Sequence, residues 1–528
     1  MSHRKSGVAM ITIDGRSLTV AEIVDVANRV SGLTLAPESI AQATSSYEFA
    51  EQAAAERPIY GRSTGVGANR TVAIGTAAIG TESIGAESIG AGAAAAAALG
   101  LLRSHATSAG ELREPQRVRA MLAVRLNQLA AGGSGADPAV LTSLAAMIAA
   151  DALPAVRELG SIGTGDLSAL AVTALTLQGE LPTRSVSGRL NPVPELHRFS
   201  LGDALPFMSS NAATLADAAL GLSRLRELAE SAIVVAALGF TAVDGNTEAF
   251  SSAVERATPF EGARRVCSSV RALTAQTNGA APTPARIQDP FALRVFPQVH
   301  GALFDALTAL DGIVMAMVNA ASENPLLSPE LGVAHHGSFY AASLAQSLDA
   351  STLALAQSAQ LSLARLTMLA EPAFTGVASF LGDGTPGASG AMIVEYVAAS
   401  ALGSLRALAM PASLQSVTLS RGVEEDASFA SLAARQALDA TSLYRTVLAC
   451  ELVAAIRCIR LRSRSAGSAS IGSTVPVVQA VLAGANEINP HLEDRDLTED
   501  IAAAEKLLET FPDLLAQIMS SSGLSSSA

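Results

Sequence analysis

The sequence contains no tryptophan, and aromatic residues make up only 4% of its 528 positions. Alanine, leucine and serine take their place. The first two are strong helix formers, so a mostly helical protein is expected. An excess of positive charge is also absent. The formal net charge of −13 at pH 7 argues against a nucleic-acid partner, because binding phosphates needs a basic face. Its expected meaning is solubility. The three cysteines, Cys267, Cys450 and Cys458, lack Cys-x-x-Cys spacing and read as buried small hydrophobes in a reducing compartment. Residues 1–10 lack an apolar h-region, so no signal peptide is evident. Runs such as Ala91–Leu102 and Ser231–Phe240 are too short, or too rich in alanine and glycine, to span a bilayer. A cytoplasmic protein without a membrane partner is expected. Its length leaves room for roughly two to four domains.

The most informative stretch runs from Leu153 to Ala171, LPAVRELGSIGTGDLSALA. Gly160, Gly163 and Gly165 lead into an apolar run behind Asp166, which reads as the N-cap of a helix carrying Leu167, Leu170 and Leu175. A glycine-rich turn entering a helix N-terminus favours negative charge, although a plain tight loop between helices fits the same pattern. Upstream, residues 1–9 read as an unstructured leader and Ile11 to Gly15 as a short strand and turn. Leu18, Ile23, Val24 and Val30 begin helical spacing, and a helix covers Ile40 to Ala54. Gly61-Arg-Ser63-Thr-Gly65 matches a nucleophile elbow, but only Ile59 and Tyr60 are available for the strand that an elbow needs. Pro182 to Pro194 reads as a connector to a helical body starting near Leu201. A long amphipathic helix is expected from Ser431 to Arg460, then a Ser/Arg-rich turn at 463–473. A single helix near Ile501–Met519 and a disordered SSSGLSSSA tail close the chain.

LP-x-V-x-E-x-GS-x-G…GDL-x-x-LA resembles the signature of the ammonia-lyase and aminomutase family, which includes histidine, phenylalanine and tyrosine ammonia-lyases. Tyr60, Gly61, Thr64, Gly65 and Gly67 are similar to that family's Y-G-x-x-T-G-x-G motif. Arg286-Ile-Gln288-Asp289-Pro-Phe291-Ala-Leu293-Arg294-Val-Phe-Pro297-Gln298 resembles V-Q-D-x-Y-S-L-R-x-x-P-Q almost position for position. Ser104-His105, Ser210-Asn211, Glu323-Asn324-Pro325 and Glu424-Glu425-Asp426 continue the likeness, which spans roughly residues 55 to 430.

The resemblance implies an all-α, fumarase/aspartase-like protein. A smaller N-terminal domain would occupy 1–200, followed by a long-helix bundle over 201–528. It implies a homotetramer whose active sites combine residues of several subunits, and an amino-acid-like small molecule as substrate. It makes Tyr60 the general base, Arg294 the carboxylate partner through a bidentate fork, and Gln288 and Asn324 its helpers. His105 would face the substrate side chain, Asn211 the electrophile, and Glu425 the substrate amine. A free phenol has a pKa of about 10, so Tyr60 needs nearby positive charge or donors. Family members convert Ala-Ser-Gly into a methylidene-imidazolone (MIO) electrophile. Here that locus is Gly163-Thr164-Gly165, one residue shorter and without serine, and the family tyrosine beside it is Phe291. The standard group is therefore not expected. Three readings stay open: an unaided lyase acting on a substrate with a better leaving group, in the manner of ergothionase; a methyl-substituted electrophile from Gly163-Thr164-Gly165; or an isomerase, cyclase or non-catalytic relative. The period-five repeat between Ala73 and Gly92 reads as an expanded mobile lid after Tyr60. Adjacent His335 and His336 do not have metal-ligand spacing on a helix, so no metal is assigned.

Overall fold

The computed structural model describes residues 9–74, 91–184, 189–275, 285–465 and 475–522. Contacts group the chain into two compact units, each assembled from three separated segments. The first comprises Met1–Ser223, Asp311–Leu348 and Pro411–Arg435; the second comprises Arg224–Leu310, Asp349–Met410 and Gln436–Ala528. The expected leader, except Ala9, and the period-five repeat from 75 to 90 lie outside the described residues, as does 466–474 of the Ser/Arg-rich turn.

Helix dominates, as the alanine and leucine content predicts, with runs such as Ala212–Ala242, Ala342–Leu369 and Ala430–Ser465. Among the described residues, sheet is limited to three two-stranded pieces. The first unit opens on the strand Ala9–Ile13, paired in parallel with Ser31–Leu35 across the helix Val20–Ala27. Thr19 and Glu22 close a capping box at that helix start, satisfying two orphan N–H groups. The helix ends before Val30, which is exposed, because Arg29 turns to φ +63°. The turn after the first strand needs Gly15. A Cβ there would lie 2.3 Å from the Ala131 backbone nitrogen, and the Gly15 N–H donates to Asn127 Oδ1 at 3.0 Å. Asn127 sits on Pro115–Ala130, a helix buried from Arg117 to Ala130. Its polar side chains are all paired: Arg119 with Asp151, Arg125 with Glu323, and Arg117 with Asp217 and Glu158.

In the second unit the buried His300 is bonded at both ring nitrogens. His300 contacts Ser358 Oγ at 2.7 Å through Nδ1 and the Ala229 carbonyl at 2.8 Å through Nε2, and burial pushes its pKa down to about 3. Cys267, Cys450 and Cys458 are buried, free, and raised in pKa by that burial. The expected single C-terminal helix is two, Thr498–Leu508 and Phe511–Ser521, with Pro512 in the first turn of the second. That second helix takes in Ser520 and Ser521 of the expected tail, and 523–528 lie outside the described residues. Among the described residues, two helical stretches could cross a membrane by length and composition alone, Phe296–Val318 and Met392–Leu414, longer than the runs weighed from sequence. The former carries His300 with both ring nitrogens bonded within the protein.

Candidate active site

The glycine loop is latched rather than loose. Gly163 has φ +86°, and a Cβ on it would meet Ser428 Oγ at 2.4 Å and the Ala430 and Phe429 nitrogens at 2.6 and 2.8 Å. Only glycine fits so close to that backbone. Ser428 Oγ donates to the Gly163 carbonyl at 2.7 Å, Phe429 N–H to the Ile162 carbonyl at 2.9 Å, and Ser431 Oγ to the Ser161 carbonyl at 3.0 Å. Gly165 follows at φ +115°.

Asp166 departs from its expected role. It occupies the N-cap position of Leu167–Leu177 without bonding that helix's N–H groups through its side chain. Its carboxylate instead accepts the Thr214 N–H at 2.8 Å and Thr214 Oγ1 at 2.9 Å, capping the start of Ala212–Ala242. Burial raises the pKa of Asp166, against the opposing pull of those donors and of Arg113. The loop is thereby tied to the helix that begins beside Asn211. Asn211 donates through Nδ2 to the Phe339 carbonyl at 2.6 Å, while its buried Oδ1 has no protein partner. An orphaned buried acceptor of this kind suits a ligand donor.

Tyr60 stands on an anchored turn. Ser63 Oγ accepts the Ile59 N–H at 2.8 Å, and buried Arg62 donates to the Gly135 and Gly202 carbonyls and pairs with Glu51. No strand leads into Ser63, which removes the nucleophile-elbow reading. The Tyr60 hydroxyl accepts the Gly67 N–H at 2.8 Å, and the Tyr60 N–H donates to His335 Nε2 at 3.2 Å. Ser420 Oγ accepts the Ala68 N–H at 3.1 Å, which brings the turn from Leu419 to Glu424 alongside. Burial raises the Tyr60 pKa, and Glu424 raises it further. Gly67 N–H and Arg70 pull the other way. The net direction is opposite to what a base at neutral pH needs. Burial, Arg57 and His336 all lower the pKa of His335, so it meets Tyr60 as a neutral acceptor.

Of the remaining sequence-predicted residues in the first unit, Asn324 accepts the His336 N–H at 2.9 Å and donates its own N–H to Ser209 Oγ. His105 ends the helix Ala91–His105, with Nδ1 directed at the Leu101 carbonyl at 2.9 Å. Glu425 is exposed. Sequence reasoning misses Ser420 and Ser428, and it takes His335 only as one of two adjacent histidines without metal-ligand spacing. Glu424 stands in the sequence only as part of an acidic triplet, and the two serines carry no local signal.

Gln288, Phe291 and Arg294 lie in the second unit. Asp289 organises them: its carboxylate accepts the Asn246 N–H at 2.6 Å and Arg286 Nε at 2.8 Å, and its carbonyl accepts Arg294 Nε at 3.0 Å. Arg294 and Gln288 both line a cavity of about 380 Å3, together with Asn246 and Glu248. The Arg294 guanidinium lies 4.6 Å from the centre of the Phe291 ring, which is 62% exposed. No carboxylate lies within ion-pair distance of Arg294 among the described residues. Its terminal nitrogens are available for an anion. No group of His, Cys, Asp and Glu among the described residues has the make-up of a metal site.

The locus of the standard MIO group departs from the family's Ala-Ser-Gly. Gly163-Thr164-Gly165 offers no serine to dehydrate, and the latch at Gly163 has no room for the methyl of an alanine.

The sequence model of the aromatic amino acid lyases matches residues 18–482. Histidine ammonia-lyase of Geobacillus thermodenitrificans is 31% identical over 518 residues, covering 95% of this chain and 97% of the relative. The solved tyrosine aminomutase from Streptomyces globisporus superposes with a TM-score of 0.83 at 26% identity, over 97% of this chain and 99% of that one. Ergothionase from Treponema denticola, at 21% identity, shares the fold with a TM-score of 0.82 over 95% and 99% of the two chains. These likenesses define a helical carbon–nitrogen lyase of the fumarase/aspartase-like fold. The chain belongs to the aromatic amino acid lyase family.

Proposed function

We propose that this lyase expels an amine, either ammonia or a substituted ammonium, from an α-amino-acid-like substrate without a standard MIO group. Arg294, with Gln288 and Asn324, binds the substrate carboxylate, and His105 meets the side chain. Glu425 meets the amine and Asn211 faces the reacting centre. Tyr60 takes the β-proton, the C–H electrons become the new Cα–Cβ double bond, and the amine departs with the C–N pair. A homotetramer combining residues of several subunits is the assembly that the family resemblance implies, so roles are assigned residue by residue. The three buried free thiols support the cytoplasm as its location.

The loop from Gly160 to Asp166 carries the unaided reading. Its Gly163-Thr164-Gly165 triad has no serine, and Gly163 is held against Ser428–Ala430 with no space for a side chain. Without a strong electrophile the substrate must supply the better leaving group, and a quaternary ammonium does so. Its fixed positive charge also lowers the pKa of a nearby phenol, which Tyr60 needs. One observation favours the second reading, an electrophile made from Gly163-Thr164-Gly165. The Ser428 hydroxyl polarises the Gly163 carbonyl, the atom that a cyclisation would attack.

Intact mass and the ultraviolet difference spectrum of the purified protein separate the two. An unmodified mass is expected, and loss of two waters would overturn the unaided reading. Arg294→Lys should weaken carboxylate binding on the order of a hundredfold through loss of the bidentate fork. Unchanged affinity would remove the anchor.

A further inference from the structure

We infer that a buried ion pair, Arg365 with Glu451, positions the carboxylate anchor Arg294 from beneath. The inference rests on the proposed role of Arg294. Arg365 and Glu451 are 1% and 0% exposed in their side chains. Arg365 Nε meets Glu451 Oε1 at 2.6 Å and Nη2 meets Oε2 at 2.8 Å, a bidentate fork. Ser362 Oγ donates to the same Oε2 at 2.5 Å, which completes the shell around that oxygen. The remaining terminal nitrogen, Nη1, donates to the Ala292 carbonyl at 3.3 Å. That carbonyl belongs to the one-turn helix Phe291–Arg294.

The same guanidinium lies 4.8 Å from the ring centre of Phe296, which stacks on His300 at 4.7 Å. Arg365 thus touches the chain on both sides of Arg294, through Ala292 before it and Phe296 after it. A helix of four residues cannot hold its own orientation, since a helix nucleus is unfavourable without tertiary support. Among the described residues, the Arg294 side chain is otherwise held by the contact of its Nε with the Asp289 carbonyl and by the face of exposed Phe291. A fully buried charge pair is costly to desolvate and is weak evidence for stability, so an orienting use accounts for it better. Arg365 is a positioning residue: it touches the backbone that carries the anchor, not the substrate.

The test uses full-length protein and two probe pairs, L-histidine with histamine and L-tyrosine with tyramine, each differing by the carboxylate. Arg365→Lys, which cannot make the fork, should weaken binding of the amino acid on the order of tenfold and leave the decarboxylated partner within about twofold. Ser362→Ala, which keeps the ion pair, should move the same preference in the same direction by a few-fold and serves if Arg365→Lys does not fold. In an Arg294→Met background neither change should weaken amino-acid binding further, because the effect runs through Arg294. Equal losses for both members of a pair, or full additivity with Arg294→Met, would overturn the positioning role while leaving the anchor in place. Should Arg294→Met bind both amino acids as wild type does, the proposed anchor fails and this inference falls with it.

Discussion

Tyr60 makes a sharp demand on the pH dependence of turnover. At the usual phenol value of about 10, only about one molecule in a thousand carries phenolate at pH 7, and burial makes the fraction here smaller. The kcat/KM profile reports the free enzyme, so with a substrate that does not titrate it should climb about tenfold per pH unit from pH 7. No plateau is expected before pH 10. Two neighbours should move that limb in opposite directions. Glu424 opposes the phenolate, so Glu424→Gln should shift the profile toward lower pH and raise activity at pH 8. Arg70 favours the phenolate, so Arg70→Ala should shift the profile upward and lower activity at the same pH. Tyr60→Phe should abolish both turnover and slope. The assay is initial-rate measurement of alkene formation by ultraviolet absorbance across pH 6.5–10.5 in buffers of constant ionic strength (about 0.1 M, where screening lengths stay near 10 Å). A flat profile between pH 7 and 9 with wild-type protein, or residual slope in Tyr60→Phe, would refute the assignment. So would shifts of the same sign for Glu424→Gln and Arg70→Ala.

Gly163→Ala should loosen the latch. A left-handed backbone costs about 1–2 kcal/mol for a residue with a Cβ, and loss of the Ser428 hydrogen bond adds about 1 kcal/mol. The Phe429 amide, bonded to the Ile162 carbonyl, should then exchange with solvent on the order of a hundredfold faster. Unchanged protection would contradict the close approach. Asp166 should leave a pH signature in stability. Its folded pKa is raised, so the folded chain holds the proton more tightly than the unfolded one. The stability this gives is complete below the unfolded value of about 4 and is lost as pH rises through the raised folded value. Asp166→Asn should flatten that acid-side decline in thermal midpoint, and a slope identical to wild type would show that Asp166 does not carry it.

Much of the helical architecture is legible in the sequence because alanine and leucine set helix propensity locally, and glycine and proline mark the breaks. Tyr60 within its glycine turn and Arg294 behind Gln288-Asp289 are legible as ordered motifs. Local reasoning fails where the partner is distant. Asp166 looks like a cap for the helix that follows it, yet it caps one starting 46 residues later, since only tertiary packing brings Thr214 to its carboxylate. The break before Phe511 did carry a signal, Thr510 followed by Pro512, outweighed by the apolar spacing on either side. Glu424 acts on Tyr60 electrostatically, and spacing along a chain does not say which of two adjacent carboxylates comes close enough to do so. Arg365 and Glu451, separated by 86 positions, carry no mark that distinguishes them from other charged residues on helices.

The three-segment make-up of the first unit sets a timetable for synthesis. The surroundings of Tyr60 include Ser420, whose hydroxyl takes the Ala68 N–H across 352 residues. At about 5–20 residues per second, roughly twenty to seventy seconds of synthesis separate Tyr60 from Ser420. Until then the nascent tyrosine loop lacks a neighbour it later depends on, and the growing polypeptide must keep its apolar helices from finding other partners. Chaperone engagement should therefore peak late in translation, and a chain truncated before Ser420 should not complete the tyrosine's environment.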